Sequence, residues 1–471
     1  MHHHFEPFGV TPGAIRATLD VALRRGADDA DLYFEHAGST SVALSDGKVN
    51  RASTHVDLGV GVRVVVGDQV GYAYTEDLSS EAMRRAAETA AEIAAGTRAH
   101  TPVSIAPRAP YADRYRVAAP WEGVDMLTRV AMVRAWERRV FALDARVIRV
   151  ETSLSDSFRH ILVVRADGRM VADYQPMTRA FVSCTAEMDG RRESASANLA
   201  QRAGVEFYTS ERVERMCRKA VDDTVILFEA VKAPAGEMTV VLGAGSSGIL
   251  LHEAIGHGLE ADFNRKGISI YADRVGQRIA PAGVTVVDDG TLPFARGTIN
   301  TDDEGNPAER TVLIEDGVLR GYMHDEISAR HFGVAPTGSG RRESFRHTVL
   351  PRMRATYMEP GPFTPEEIIA SVPRGIYCAT FANGQVHIGG GDFAFYVRHG
   401  WLIEDGKLTR PIKDVNLVGN GPKVLETVEM VGNDLVIDEG GWTCGKDGQS
   451  MPVSQGMPTV KVGRLSVGGA A

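Results

Sequence analysis

The stretch Gly248 to Gly267 reads GILLHEAIGHGLEADFNRKG and holds His252, Glu253 and His257 in the order H-E-x-x-x-H. Two imidazoles beside a carboxylate on an apolar helix are what a zinc hydrolase uses: two metal ligands and a general base. The spacing is one residue longer than H-E-x-x-H. On a regular α-helix residues i and i+4 share a face, whereas i and i+5 diverge. For both histidines to meet one ion, the helix must widen into an i→i+5 turn or break between them. Gly256 and Gly258 flank His257 and lower the steric cost of such a departure. Read alone, the motif leaves a second possibility open, with His252 a core histidine and His257 a helix cap. A two-histidine site also lacks the third protein ligand that catalytic zinc usually has.

The elements that must position these residues are spread over 471 residues, too many for one core. Three units are expected: an N-terminal α+β domain over 1–105, a middle α+β domain over 106–231, and a strand-rich catalytic domain over 232–471. In the first, Thr11 reads as an N-cap before Pro12, and Ile15, Leu19, Ala22 and Leu23 repeat at helical spacing. Short strands follow from DLYFE onward. Asp46-Gly47 marks a hairpin, Val60, Val62, Val64 and Val66 alternate, and an alanine-rich helix spans Ser80 to Ala95. The proline-rich segment from Thr97 to Pro120 reads as a linker. The middle unit opens with a helix near Val124 to Leu143. It continues in strands with a turn at Ala166-Asp167-Gly168, and closes with a helix around Ser210 to Asp223. The last unit begins with the strand MTVVLG, then the H-E-x-x-x-H helix, then many glycine turns. The fold class is α+β and multi-domain, with mixed and antiparallel sheets rather than strict βα alternation.

Composition excludes several classes. Apolar residues make up 43% and charged residues 24%, as in globular proteins. A net charge of −9 argues against a broad nucleic-acid footprint. There is no long apolar run to span a membrane and no secretory signal at MHHHFEPFG, so a cytoplasmic location is expected. Cys184, Cys217, Cys378 and Cys444 are too dispersed for a disulfide framework. His2, His3 and His4 read as a solvated terminus or partial tag. Gly243-Ala-Gly245-Ser-Ser-Gly248 matches G-x-G-x-x-G, and Asp262 lies about 20 residues on, as a dinucleotide fingerprint would have it. The residues before Asp262, GHGLEA, cannot form the second buried strand that the fingerprint needs. A tight strand-to-helix turn is the better reading, with a nucleotide-dependent enzyme as the alternative.

With these residues in view, the chain resembles the TldD-type members of the TldD/PmbA (TldE) family of zinc metalloproteases. The likeness rests on LHEAIGHGLEADFNRKG, VTVVDDGT, DDEGNPAERTVLIEDGVLRGYM, GVAPTGSGRRES, LIEDGKLTRPIK, LVGNGP and TCGKDGQSMPV. PmbA-type chains lack H-E-x-x-x-H. The sequence departs from the family at PRMRATYM and at Phe345 and Arg346. The resemblance implies Cys444, in TCGKDGQ, as the third zinc ligand beside His252 and His257, with a water at the open position. Glu253 would act as the base, and the substrates would be unfolded peptides or small proteins, held as an added strand. It also implies a PmbA/TldE-type partner in a heterodimer, or else a homodimer. A non-catalytic regulatory role, attached to the family as modulation of DNA gyrase, is the other alternative. His324, His347 and Tyr357 are candidate oxyanion donors by residue type only. Arg341-Arg342 is expected to pair with an acidic neighbour, with substrate contact second.

Overall fold

The structure, a computed structural model, describes residues 2–96, 103–108, 111–387 and 390–469. Of the expected linker, residues 97–102, 109 and 110 lie outside the described residues. The fold is α+β, with three main sheets.

The first sheet has the order Gln69–Thr75, Lys48–Val66, Asp29–Ser45, Val147–Arg165, Arg169–Met188, Ala106–Pro107, and Arg191–Gln201 also pairs with Arg169–Met188. It runs through both units expected before residue 231, because Asp29–Ser45 pairs antiparallel with Val147–Arg165. Its main strands are 17 to 20 residues long, not the short ones that the pattern suggests. Polar stretches such as HAGST break the apolar alternation, yet their backbones are paired on both sides. The Asp46-Gly47 turn closes Ser45 against Lys48, with both turn residues at positive φ.

Successive side chains alternate between the two faces of this sheet. Leu32, Phe34, Val62, Val64, Leu162 and Val164 form one core with Ile15 and Leu19 of helix Pro12–Leu23 and Met83 and Ala87 of helix Ser80–Ile93. Thr11 caps the first helix, accepting from Ala14 N at 3.2 Å. Farther along the strands, Val42, Leu44, Leu154 and Val182 pack on helices Met126–Leu143 and Ser210–Val225. Tyr33, Ile161 and Val163 point the other way and bury Phe345.

The charges on that second face are paired. Asp31 accepts from Arg63 Nε at 2.5 Å and from Arg342 Nη2 at 3.1 Å. Arg63 also meets Glu304 at 2.7 Å, and Glu35 accepts from the Phe345 amide at 2.9 Å. The Arg341-Arg342 expectation therefore divides. Arg342 pairs with Asp31, whereas Arg341 donates to the carbonyls of Met353 and Pro452 and makes no ion pair among the described residues.

Among the described residues, the rest of the chain builds two two-stranded hairpins and two more main sheets. One has the order Val318–Leu319, Arg310–Glu315, Val286–Asp289, Ala355–Met358, Ser454–Met457, Val436–Ile437. The other is seven-stranded and contains Gly236–Leu242, Arg374–His387, Asp392–Glu404, Lys407–Asn420 and Val460–Gly469. A single core joins Ile249, Leu251 and Ile255 of the motif segment to residues of both sheets, among them Val286, Met358, Val240 and Phe395. Among the described residues, no helix is long and apolar enough to cross a membrane.

The N-terminus corrects one expectation. His4 is only partly exposed to solvent: its ring stacks on His160 at 3.7 Å and Nε2 lies 3.0 Å from His36 Nδ1, whereas His3 is exposed. Phe5 beside it is buried in the first core, and that anchors the segment.

Two outcomes are expected. Burial, aided by His4 and His36, lowers the His160 pKa from 6.5 to about 4. The neutral ring thus supports the fold above pH 6.5, and this support is lost as pH falls from there toward 4, because the unfolded chain takes up the proton first. Screening of a half-buried ring limits the effect to ~1 kcal/mol. A pH series of thermal midpoints should be flatter in this window for His160→Gln. Asp31→Asn leaves two buried guanidiniums short of their carboxylate and should cost about 3–5 kcal/mol, read as a lower urea midpoint.

Candidate metal centre

The motif segment changes its winding along its length. It is α-helical at Ile249–Leu251, π-helical at His252–Gly256 and 3-10 at His257–Leu259. The His257 amide donates to the His252 carbonyl, which is the i→i+5 bond that the spacing demands. The two rings face each other edge-on, with centroids 5.1 Å apart.

Gly256 serves this arrangement differently from the sequence expectation. Its backbone is ordinary right-handed helix, at φ −55 and ψ −53. What it supplies is clearance: a Cβ there would lie 2.1 Å from Met353 Sδ. The end of the segment is held by Asn264, whose Nδ2 donates to the carbonyls of Gly258 and Glu260, groups that a helix end leaves without partners.

Cys444 arrives on the hairpin Thr443–Lys446 and Gln449–Pro452. Its Sγ lies 3.4 Å from His257 Nε2. The ligand atoms of His252, His257 and Cys444 all lie within 4.8 Å of one another, and the three side chains are buried. Two imidazoles and a thiol are a donor set that suits zinc. Donors about 2.0–2.3 Å from a tetrahedral zinc sit roughly 3.4–3.6 Å apart, and the Cys444–His257 separation of 3.4 Å matches that spacing. His252 Nδ1 is buried with no partner among the described residues. From Ser247 to Asp262 every residue is buried except Glu253, which is partly exposed. The one open position on this segment is thus the carboxylate beside the donors.

The electrostatics follow from packing. Burial alone would raise the Cys444 pKa, yet His252 and His257 bring it well below the thiol range. Burial opposes the charge on His257, but Glu260 and Cys444 outweigh it and hold the pKa well above 6.5. Burial raises the Glu253 carboxyl, and the two imidazoles only partly oppose it.

Around the donors lies a second layer of contacts that no sequence motif announces. Glu260 Oε2 lies 3.0 Å from His257 Nδ1 and 3.2 Å from Lys446 Nζ. Lys446 also donates to Asp262 at 2.7 Å, and Arg352 Nη2 donates to the Cys444 carbonyl at 2.7 Å. The one signal for this layer in the sequence is the C-x-K spacing, since residues i and i+2 of a strand share a face. Asp262 therefore sits in helix Ala261–Arg265, engaged by Lys446, and ends no strand. The Gly243–Gly248 turn, with Gly245 at φ 89, leads from strand Gly236–Leu242 into the motif segment. His347 Nδ1 is 3.1 Å from Ser344 Oγ, and Tyr357 points its hydroxyl to Asp289 at 3.4 Å. His324 packs against Tyr322 and Phe332. Among the described residues, no hydrogen bond, ion pair or ring contact joins any of these three to the donor cluster.

The tight clearance predicts that Gly256→Ala destabilises the fold by about 1–3 kcal/mol, since Met353 is wholly buried. In chemical denaturation, Met353→Ala should cost less in the Gly256→Ala background than alone, because the two share one space.

Comparison with known proteins bears on this site. Residues 235–469 match the PmbA/TldA metallopeptidase C-terminal domain, residues 30–94 match PmbA/TldA metallopeptidase domain 1, and residues 119–228 match the central domain. A metalloprotease TldD homolog of Haemophilus influenzae is 39% identical over 98% of this chain and 97% of its own length. A zinc metalloprotease TldD homolog of Saccharolobus solfataricus is 34% identical over 50% of this chain and 52% of its own. The crystal structure of TldE from Thermococcus kodakarensis matches with TM-score 0.75 at 19% identity, covering 97% of this chain and all of that one (100%). A Thermotoga maritima protein described in connection with DNA-gyrase modulation matches with TM-score 0.79 at 20% identity, covering 98% and 100%. At these identities the structural likeness speaks to fold alone. The near full-length identity and the three matched domains place the chain: it is a TldD-type member of the PmbA/TldD metallopeptidase family.

Proposed function

We propose that the chain is a zinc-dependent peptidase that hydrolyses peptide bonds in unfolded peptides or small proteins. The observation that carries this reading is the convergence of two imidazoles and one thiol beside the partly exposed Glu253. Nitrogen and thiolate donors suit zinc, whereas magnesium and calcium take oxygen. The name of the Saccharolobus solfataricus relative supports the same metal. His252, His257 and Cys444 would hold the ion, Cys444 as the thiolate that its two imidazole neighbours already favour. Bound there, zinc would supply Lewis acidity, polarising the scissile carbonyl and lowering the pKa of a water.

Glu253 does the proton work. Its carboxylate takes a proton from the attacking water as oxygen bonds to the carbonyl carbon. It returns that proton to the amine nitrogen as the C–N bond breaks. The buried residues on either side of it confine access to this one partly exposed position. An extended substrate would add as a strand to an open sheet edge, which favours chains without tertiary structure. The enzyme would work in the cytoplasm, paired with a PmbA/TldE-type chain or as a homodimer.

The test begins with zinc content, measured with His2 and His3 replaced by serine so that the terminus does not bind metal. About one zinc per chain is expected, and much less in Cys444→Ala. Glu253→Gln should keep its zinc yet lose about 10²-fold or more in peptide cleavage. A regulatory protein would be indifferent to that change. A nucleotide-dependent enzyme using Gly243 to Gly248 would instead gain thermal stability with nucleotide.

A further inference from the structure

We infer that Glu260 is a positioning residue that fixes the ring of His257 and locks the motif segment to the hairpin bearing Cys444, so that the donors assemble as one unit. This rests on the zinc reading above.

Glu260 stands where the chain leaves its helical winding, at φ −71 and ψ 124, with 0% of its surface exposed. Its contact to His257 Nδ1 at 3.0 Å favours the proton on that nitrogen. Nε2 is then the free donor, and it is Nε2 that faces Cys444 Sγ. A carboxylate on the remote nitrogen is the usual means by which a ligating histidine is oriented and made more basic. The other histidine has no such brace: His252 Nδ1 lacks a partner among the described residues.

The same carboxylate reaches the Cys444 strand. Lys446 lies two residues beyond Cys444, and in Thr443–Lys446 residues 444 and 446 are buried while 443 and 445 are exposed. Cys444 and Lys446 thus present to one side, the sulfur toward His257 and the ammonium toward Glu260 Oε2 at 3.2 Å. Arg352 holds the Cys444 carbonyl at 2.7 Å and lies 3.9 Å from Glu260 Oε1. Oε2 of Glu260 thus pairs with a cation on the Cys444 strand, while Oε1 faces Arg352 at 3.9 Å without a hydrogen bond. A carboxylate serving only as buried countercharge has no need to touch the ligand ring.

The test uses the full chain with Glu260→Gln, which keeps volume and an acceptor but removes the charge. Zinc affinity is measured by competition with a chromophoric chelator, and the cobalt-substituted protein by its thiolate-to-metal charge-transfer band. Zinc binding should weaken about 10–100-fold, with a weaker or shifted cobalt band and a folded metal-free protein. An affinity within about twofold of the parent and an unchanged band would overturn the inference. Should Glu260→Gln not fold, Lys446→Gln carries the test: a fall in zinc affinity supports the lock and an unchanged value overturns it. A parent chain that binds no zinc would overturn the zinc reading itself, and this inference with it. A zinc-binding parent with an indifferent variant would overturn the role of Glu260 alone.

Discussion

Two side chains five residues apart can reach one point from a helix only if that helix widens by a residue between them. Much of the C-terminal half is arranged around this constraint. The i→i+5 bond from His257 to His252 brings the imidazoles together, and the backbone there packs so closely on Met353 that residue 256 has no room for a side chain. A π-turn is a poor helix by itself. Here it is held on nearly all sides by a core drawn from two sheets, which leaves only Glu253 open.

The third donor is positioned from much farther away. The hairpin carrying Cys444 is held by the segment from 340 to 350, through Gln449 with the Glu343 amide and the Thr348 carbonyl, and through Ser450 with Glu343. That segment in turn is fastened to the N-terminal sheet by Arg342 on Asp31, Phe345 under Glu35, and Arg346 on Asp57. A continuous set of contacts thus runs from the first sheet to the sulfur. Burying so many charges gains little stability against well-packed apolar residues, but a broken pair is costly, so one docking geometry is favoured over its neighbours.

Local features are the most legible in the sequence. For both histidines to meet one ion the H-E-x-x-x-H spacing asks for a helix that widens or breaks, and the structure has the widened form. Thr11, Asp46-Gly47 and the Val60–Val64 alternation are each readable from short-range chemistry. The features that escape such reading are long-range. The joining of Asp29–Ser45 to Val147–Arg165 across the expected linker depends on pairing between segments over a hundred residues apart, which no local pattern encodes. A polar triplet at the start of the sequence looks solvated, and the partners that His4 finds in His36 and His160 are set by the tertiary fold. Glu260 and Lys446 look like ordinary charged residues until the fold brings them together. The resemblance to a family, not spacing, points to Cys444.

The π-turn also has an evolutionary side. It amounts to one residue inserted into an ordinary helix. Deleting that residue would restore the H-E-x-x-H spacing, with one ordinary α-helical turn between the histidines. Glu260 would still follow His257 by three residues, and Asn264 would keep its spacing to the carbonyls it caps, because all of these lie beyond the deletion. The extra residue is thus absorbed within one turn, and a lineage could gain or lose it while the block from His257 onward travels as a unit, so long as the new turn still fits the space beside Met353.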